Sequence, residues 1–264
     1  MTYRSGSKKE ECLCKKLKNC YWEEELPSHF IRLLLDEEEC VACVAGHMLG
    51  ENTFAVTGTA FEEKVSLMRI MYELLRELSM KGIPRVELHV PLEFSESMGF
   101  RMNGRVRIRG TCLNSRVGVG YDIHPLVTGR PLIVGGERIK SDYGALGHSD
   151  GDVLCHAIID ALLGAASMED IGAHFPETDE FKNIESTKLL RETVRKLETN
   201  GFFIESVDTV VILAKPRLGP YRERIVQNLQ EIMRCPVSIK FKTGNELKAR
   251  KCIECYAVSQ VSSL

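Results

Sequence analysis

Asp122-Ile123-His124 stands in an apolar stretch that reads as a strand. Side chains two apart on a strand leave the same face, so Asp122 and His124 can close on one point from one side. A further histidine, His156, lies in Val-Leu-Cys-His-Ala-Ile-Ile-Asp-Ala-Leu-Leu at 153–163, which reads as a buried helix. One carboxylate and two imidazoles make a three-ligand zinc set, and three protein ligands leave a fourth position open to substrate. A closed structural site would use four. The spacing points to a catalytic metal.

The elements that must position these residues bear on that reading. At about 100° per residue, Val153, Leu154, Ala157, Ile158, Ala161 and Leu162 cover most of the helix. Asp152, His156 and Asp160 fall at i, i+4 and i+8 in one narrow polar stripe. Burying two carboxylates and an imidazole without partners is costly, so such groups are paired or bound to metal. Asp160, one turn beyond His156, is placed to take its second ring N–H, the usual orienting bond of a ligating histidine. A buried hydrogen-bond network without metal is the alternative reading of the same stripe.

Composition narrows the function classes. The chain has 264 residues, enough for two modest domains. Net charge is −2 with acids and bases nearly balanced, so nothing points to a nucleic-acid partner or a membrane surface. No apolar run reaches the roughly 20 residues of a membrane span, and the charged N-terminus carries no secretory segment. Ten cysteines in such a chain read as reduced thiols, which places the protein in the cytoplasm. Cys40 and Cys43 have a zinc-like spacing but lie in an apolar run that looks like a strand. Residues 109–115 mix turn formers between two strand-like runs, so the chain is expected to divide into domains over 1–113 and 114–264.

From about residue 116 onward the chain resembles the 2-C-methyl-D-erythritol 2,4-cyclodiphosphate synthases of the non-mevalonate isoprenoid pathway. The matching stretches are Arg-Val-Gly-Val-Gly-Tyr-Asp-Ile-His at 116–124 and the run from Gly147-His148-Ser149-Asp150-Gly151-Asp152 to Ala166. Glu-Asp-Ile-Gly at 169–172 and His-Phe-Pro-Glu-Thr-Asp at 174–179 follow in order. The resemblance implies an α/β (α+β) fold, a mixed sheet covered by helices on one side, with helices over 187–200 and 221–233. It implies homotrimers with sites between subunits. The activity implied is a lyase that converts 4-diphosphocytidyl-2-C-methyl-D-erythritol 2-phosphate to the 2,4-cyclodiphosphate and CMP. Zinc would lie on Asp122, His124 and His156, which also border the substrate. His148 and Ser149 would touch phosphate oxygens, and His148 would help stabilise the transition state. Asp170, Gly172, Glu177 and Asp179 would surround the methylerythritol, whose hydroxyls suit carboxylate acceptors, and Phe175 would also border the substrate. Ser186 reads as the N-cap of the helix that follows it.

The cytidine side is expected at Pro216 and Arg217, within Ala-Lys-Pro-Arg-Leu-Gly-Pro at 214–220. Arg217 stands where the family carries lysine. Thr243 matches the family threonine that contacts phosphate and joins His148 as a catalytic candidate. The family pattern Lys-x-x-Thr-x-Glu meets Lys-Phe-Lys-Thr-Gly-Asn-Glu at 240–246. Glu246, the expected ligand for a magnesium or manganese ion on the diphosphate, therefore comes one residue late. Either Gly244 is inserted or Asn245 takes the slot. The family's glycine-rich loop with a phenylalanine and an arginine is missing after it.

The first segment has its own pattern. Residues 41–49 and 53–59 read as hairpin strands around Gly50-Glu51-Asn52. Residues 62–81 read as an amphipathic helix with Val65, Met68, Met71, Leu74, Leu75 and Leu78 at helical spacing. A strand over 86–90, a short helix over 93–98 and a strand over 106–108 follow. This order, with Phe-Ser-Glu-Ser-Met-Gly-Phe at 94–100, resembles the C-terminal half of GNAT-family N-acetyltransferases. In that family a Gly-rich loop opening the long helix holds the coenzyme A pyrophosphate on backbone N–H groups. Here the position reads Gly-Thr-Ala-Phe-Glu-Glu-Lys at 58–64, with two carboxylates where phosphates would sit. A smaller α+β domain, degenerate and accessory, is the expectation; acyltransferase activity is the alternative. The segment is too short for the cytidylyltransferase fused to some of these synthases and lacks its phosphate loop. For the whole chain two readings stand: an active synthase with an added domain, and a non-catalytic binding or assembly protein on the same fold.

Overall fold

The computed structural model describes residues 2–5, 17, 19–22, 30–36, 39–89, 98, 100–103, 106–110, 113–244 and 251–264. Two compact units result. The first comprises residues up to Asn114 with 198–203 and 263–264, the second 115–197 and 204–262.

The first unit contains β1 (Thr2–Ser5), β2 (Asn19–Trp22), β3 (Phe30–Asp36), β4 (Glu39–Leu49), β5 (Thr53–Phe61), helix α1 (Lys64–Met80), β6 (Arg85–Leu88), β7 (Arg101–Asn103) and β8 (Val106–Gly110). Its sheet runs β1-β3-β4-β5-β6-β8-β7, with β2 paired to β5 off this path. β4 and β5 are the expected hairpin, with a register shift between Ala45 and Gly46. β5 and β6 are parallel, a pairing that needs a crossover, and α1 supplies it. Five of the six residues of the expected apolar stripe of α1 are buried, Val65 is half-buried, and Leu67, Ile70 and Tyr72 widen the buried face. Met68, Met71, Leu74, Leu75 and Leu78 are buried with Val44, Val56, Phe61, Val86 and Phe100 in one core. β6 pairs with β5 only as far as Val56, and β2 takes the same edge of β5 from Gly58 to Phe61. The short helix expected over 93–98 lies outside the described residues except for Met98, which is buried.

The second unit contains β9 (Asn114–Thr128), β10 (Leu132–Val134), β11 (Glu137–Ile139), β12 (Tyr143–Ala145), α2 (Val153–Ala166), α3 (Ile171–His174), α4 (Ser186–Thr199), β13 (Phe202–Leu213), α5 (Arg222–Met233), β14 (Val237–Lys242) and β15 (Cys252–Ser263). Five strands form a mixed sheet in the order β12-β9-β15-β13-β14. β12 is antiparallel to β9, and β13 is parallel to β14 with α5 in the crossover. The helices expected over 187–200 and 221–233 are α4 and α5. The strand-like pieces around 117–120 and 122–124 are one strand of 15 residues. β10, β11 and β12 have three residues each, too short for periodicity to reveal them.

The two faces of β9 differ in kind. On one, Gly118 and Gly120 meet α2 so closely that an added Cβ would stand 2.0 Å from the Ala161 carbonyl oxygen and 1.9 Å from that of Ala157. Asp122 and His124 continue this face by the strand's period of two. On the other face Val117, Val119, Tyr121 and Ile123 are exposed, Val119 at 69%. Tyr256 and Val258 of neighbouring β15 are exposed too, and the Tyr121 and Tyr256 rings lie 4.7 Å apart. Helix α2 is buried except at His156, Asp160 and Gly164. Its close seating on glycine brings a helix histidine against a strand.

Candidate metal centre and phosphate loop

Three ligand atoms form a triangle at the end of that seam. Asp122 Oδ2 lies 2.9 Å from His124 Nε2 and 3.0 Å from His156 Nδ1, and the two nitrogens are 3.2 Å apart. Ligands bonded to zinc at about 2.0 Å stand about 3.3 Å apart in a tetrahedron, so small shifts let all three share one ion. Asp122 Oδ1 is occupied by the Ile123 N–H at 2.9 Å, which leaves Oδ2 for the shared point. Among the described residues this is the one group of three or more His, Cys, Asp or Glu side chains arranged to hold a metal; Cys40 and Cys43 belong to none. Burial alone would raise the Asp122 carboxyl, but the hydrogen bonds and charges of His124 and His156 outweigh it and hold it far below the usual carboxylate range. Burial would lower His156, yet its bond to Asp122 and the charges of Asp122, Asp152 and Asp150 raise it. The donor set fits a divalent metal.

The polar stripe of α2 is satisfied differently from the sequence expectation. Asp152, wholly buried, caps the helix and takes four backbone N–H groups: Leu154 at 3.2 Å, Cys155 at 3.1 Å, Gly135 at 2.9 Å and Gly136 at 2.7 Å. Gly135 and Gly136 turn with φ of 59° and 74°, a conformation glycine takes without strain. Asp160 does not orient His156. It accepts the Ile171 N–H at 2.8 Å, one of the donors a helix start leaves without an intrahelical partner. The second nitrogen of His156, Nε2, instead lies 2.9 Å from both Ser149 Oγ and Ser186 Oγ. Ser186 is likewise not the expected cap: it is the first residue of α4, and its hydroxyl donates to Asp150 at 2.5 Å. Arg130 pins the loop from outside, donating to the Gly147 and Ser149 carbonyls at 3.0 and 2.7 Å. Asp150, Ser186 and Arg130 escape sequence reasoning because their contacts bridge loops far apart in the chain.

The remaining candidates fall around this centre. His148 stands outside the triangle, and its Nε2–H donates to the Thr178 carbonyl at 2.7 Å. Asp170 caps α3 through one oxygen on the Ala173 N–H at 2.9 Å. Gly172 is exposed within α3. Phe175 meets Phe181 edge-on at 5.7 Å, with the Lys196 ammonium 4.8 Å over its ring. Glu177 and Asp179 are exposed, Asp179 opening a short 3-10 turn, Asp179–Phe181. Pro216 follows a cis peptide bond from Lys215, and Arg217 is exposed beside it. Those residues follow β13 and Thr243 follows β14; the two strands are parallel, so both loops leave one end of the sheet. β13 lies two strands from β9, roughly 10 Å away. Asn245 and Glu246 lie outside the described residues. The backbone carbonyl of Lys251, after them, accepts the N–H of Leu126 at 2.7 Å, two residues beyond His124.

The family match falls on this unit. The 2-C-methyl-D-erythritol 2,4-cyclodiphosphate synthase of Thermotoga maritima is 54% identical over 132 residues, 50% of this chain and 80% of that protein. The synthase of Laribacter hongkongensis is 51% identical over 139 residues, covering 51% and 86%. A solved structure of such a synthase in a CDP-bound form aligns at 39% identity and a TM-score of 0.53, over 55% of this chain and 99% of that one. The model of the YgbB family matches residues 115–262, which take in the triangle, the 147–152 loop and the ends of β13 and β14. That match spans more than half of the sequence, and the chain belongs to the YgbB family.

Proposed function

We infer that residues 115–262 convert 4-diphosphocytidyl-2-C-methyl-D-erythritol 2-phosphate to 2-C-methyl-D-erythritol 2,4-cyclodiphosphate and CMP, around a zinc ion held by Asp122, His124 and His156. The observation that carries the metal assignment is the triangle of one carboxylate oxygen and two imidazole nitrogens, 2.9 to 3.2 Å apart. When bound, zinc supplies Lewis acidity toward phosphate oxygens and a fixed point for them.

The chain's own groups do the remainder. An oxygen of the 2-phosphate bonds to the β-phosphorus while the bond from that phosphorus to the departing CMP breaks. Two anions must be brought together, so donors and positioning dominate. His148 and Ser149 meet phosphate oxygens from the loop that Arg130 pins, and Thr243 meets them from the end of β14. Asp170, Gly172, Glu177 and Asp179 hold the methylerythritol hydroxyls, with Phe175 against its carbons. Pro216 and Arg217 face the cytidine side, and Glu246 is the ligand for magnesium or manganese on the diphosphate.

Within one chain the nucleotide turn and the metal triangle stand two strands apart. The exposed apolar face of β9 and β15, with Val117, Val119, Tyr121, Ile123, Tyr256 and Val258, supports a homotrimer in which neighbours complete each site, because a contiguous apolar surface marks an interface. Residues 1–113 we read as an accessory domain. Glu62 and Glu63 stand just before α1, where an anion would bind, and β2 covers the β5 edge beyond Val56. No helix among the described residues is long and apolar enough to cross a membrane, and the buried cysteines Cys43, Cys155 and Cys255 are free thiols; the cytoplasm is the compartment we assign.

The test is CMP release from the diphosphocytidyl substrate with zinc and magnesium present, beside elemental analysis. His156→Ala is expected to lose both zinc and turnover. Undiminished zinc in that variant overturns the ligand assignment. A fully zinc-loaded natural protein that releases no CMP would instead favour the binding or assembly reading.

A further inference from the structure

The two ring nitrogens of His156 have separate surroundings. Nδ1 faces Asp122 Oδ2 at 3.0 Å and His124 Nε2 at 3.2 Å. Nε2 faces Ser186 Oγ and Ser149 Oγ, each at 2.9 Å. For Nδ1 to give its lone pair to a metal, Nε2 must carry the proton, and that N–H needs an acceptor, for which the buried hydroxyls of Ser149 and Ser186 are the neighbours.

Ser186 is wholly buried and has a single hydroxyl proton to give. Its hydroxyl donates to Asp150 Oδ1 at 2.5 Å, and its backbone N–H donates to Oδ2 of the same carboxylate at 3.1 Å. With the proton committed there, Ser186 turns only lone pairs toward His156. Ser149 does not discriminate in this way, because its hydroxyl can either donate to Nε2 or accept from it. Asp150 is itself fixed, its N–H donating to the Ile184 carbonyl at 3.0 Å.

We propose that Asp150, acting through the Ser186 hydroxyl, holds His156 with Nε2 protonated and Nδ1 presented as the ligand atom. Asp150 and Ser186 are thus positioning residues of the metal centre. The inference rests on the reading that Asp122, His124 and His156 hold a metal. Outer partners of ligating histidines are typically worth about 10- to 100-fold in metal affinity, and that is the range the test must resolve.

The experiment is zinc affinity of the full chain, measured by competition with a chelator and independent of turnover. Ser186→Ala and Asp150→Ala are each expected to weaken zinc binding about 10- to 100-fold. Ser186→Thr keeps a hydroxyl and is expected to restore most of the loss. If the two residues act in series, the double variant binds zinc no more weakly than the worse single variant, since coupled residues are not additive. Unchanged affinity in Ser186→Ala, failure of Ser186→Thr to rescue, or fully additive losses overturns the inference. Should Ser186→Ala not fold, Asp150→Ala and Ser186→Thr decide by the same criteria. A natural protein that binds no zinc overturns the metal reading itself and this inference with it; zinc binding that Ser186→Ala leaves untouched overturns only the latter.

Discussion

His148 and His156 lie eight residues apart, yet their surroundings assign them different parts. His156 is inside, between Asp122 and two serines, whereas His148 reaches a backbone carbonyl outside the triangle. His148→Ala is therefore expected to keep its zinc and lose about a hundredfold or more in turnover, as elemental analysis and CMP release would show; loss of zinc would make His148 a ligand. Zinc retention should also depend on pH. His156 is held above the ordinary imidazole value of about 6.5, and a protonated ring cannot ligate. Its proton thus competes with metal as pH falls, and the apparent zinc affinity, measured at a series of pH values, should begin to decline above that value. The Asp-x-His pair and His156 are legible in sequence because strand and helix periods decide which way side chains point. Asp160 is misread for the complementary reason: the helical repeat locates its stripe but says nothing of the Ile171 N–H that arrives from the next segment. With Glu246 as the magnesium ligand, Glu246→Gln should weaken the magnesium dependence of turnover while Asn245→Ala does little; the opposite ranking would give the slot to Asn245.

Among the elements, the seam between β9 and α2 decides whether the triangle exists. A Cβ at Gly120 would stand 1.9 Å from a helix carbonyl oxygen, so Gly120→Ala must push backbone from backbone. It is expected to cost about 1–3 kcal/mol and to weaken zinc binding, readable as a lower melting temperature and a weaker zinc affinity together. Gly164, on the exposed side of α2 with nothing within 4 Å of an added Cβ, is the contrast. Gly164→Ala should stabilise by about 0.5–1 kcal/mol and leave zinc alone. α1, α4 and α5 are visible in sequence because each carries an amphipathic repeat, and the β4–β5 hairpin, buried on both faces, because two apolar runs flank the turn formers Gly50-Glu51-Asn52. β9 is harder to read, since glycines at 118 and 120 break the apolar alternation where the helix needs room.

At the scale of the molecule, the second unit keeps one sheet face for α2 and leaves the other apolar and open. Val119→Asp places a charge on that open face, where the side chain is 69% exposed, so the chain should still fold. Sedimentation is expected to show dissociation, with zinc retained and turnover lost; an unchanged oligomer would remove this face as the interface. Both faces are carried by β9, and this gives the strand something like a reading frame. Gly118, Gly120, Asp122 and His124 occupy the even positions, while Val117, Val119, Tyr121 and Ile123 occupy the odd ones. Point changes can disable one set and spare the other. Deleting a single residue such as Val119 cannot, because whichever half of the strand keeps its place, the other half turns over. Chemistry and assembly are separable here by substitution and inseparable by frameshift of the pleat.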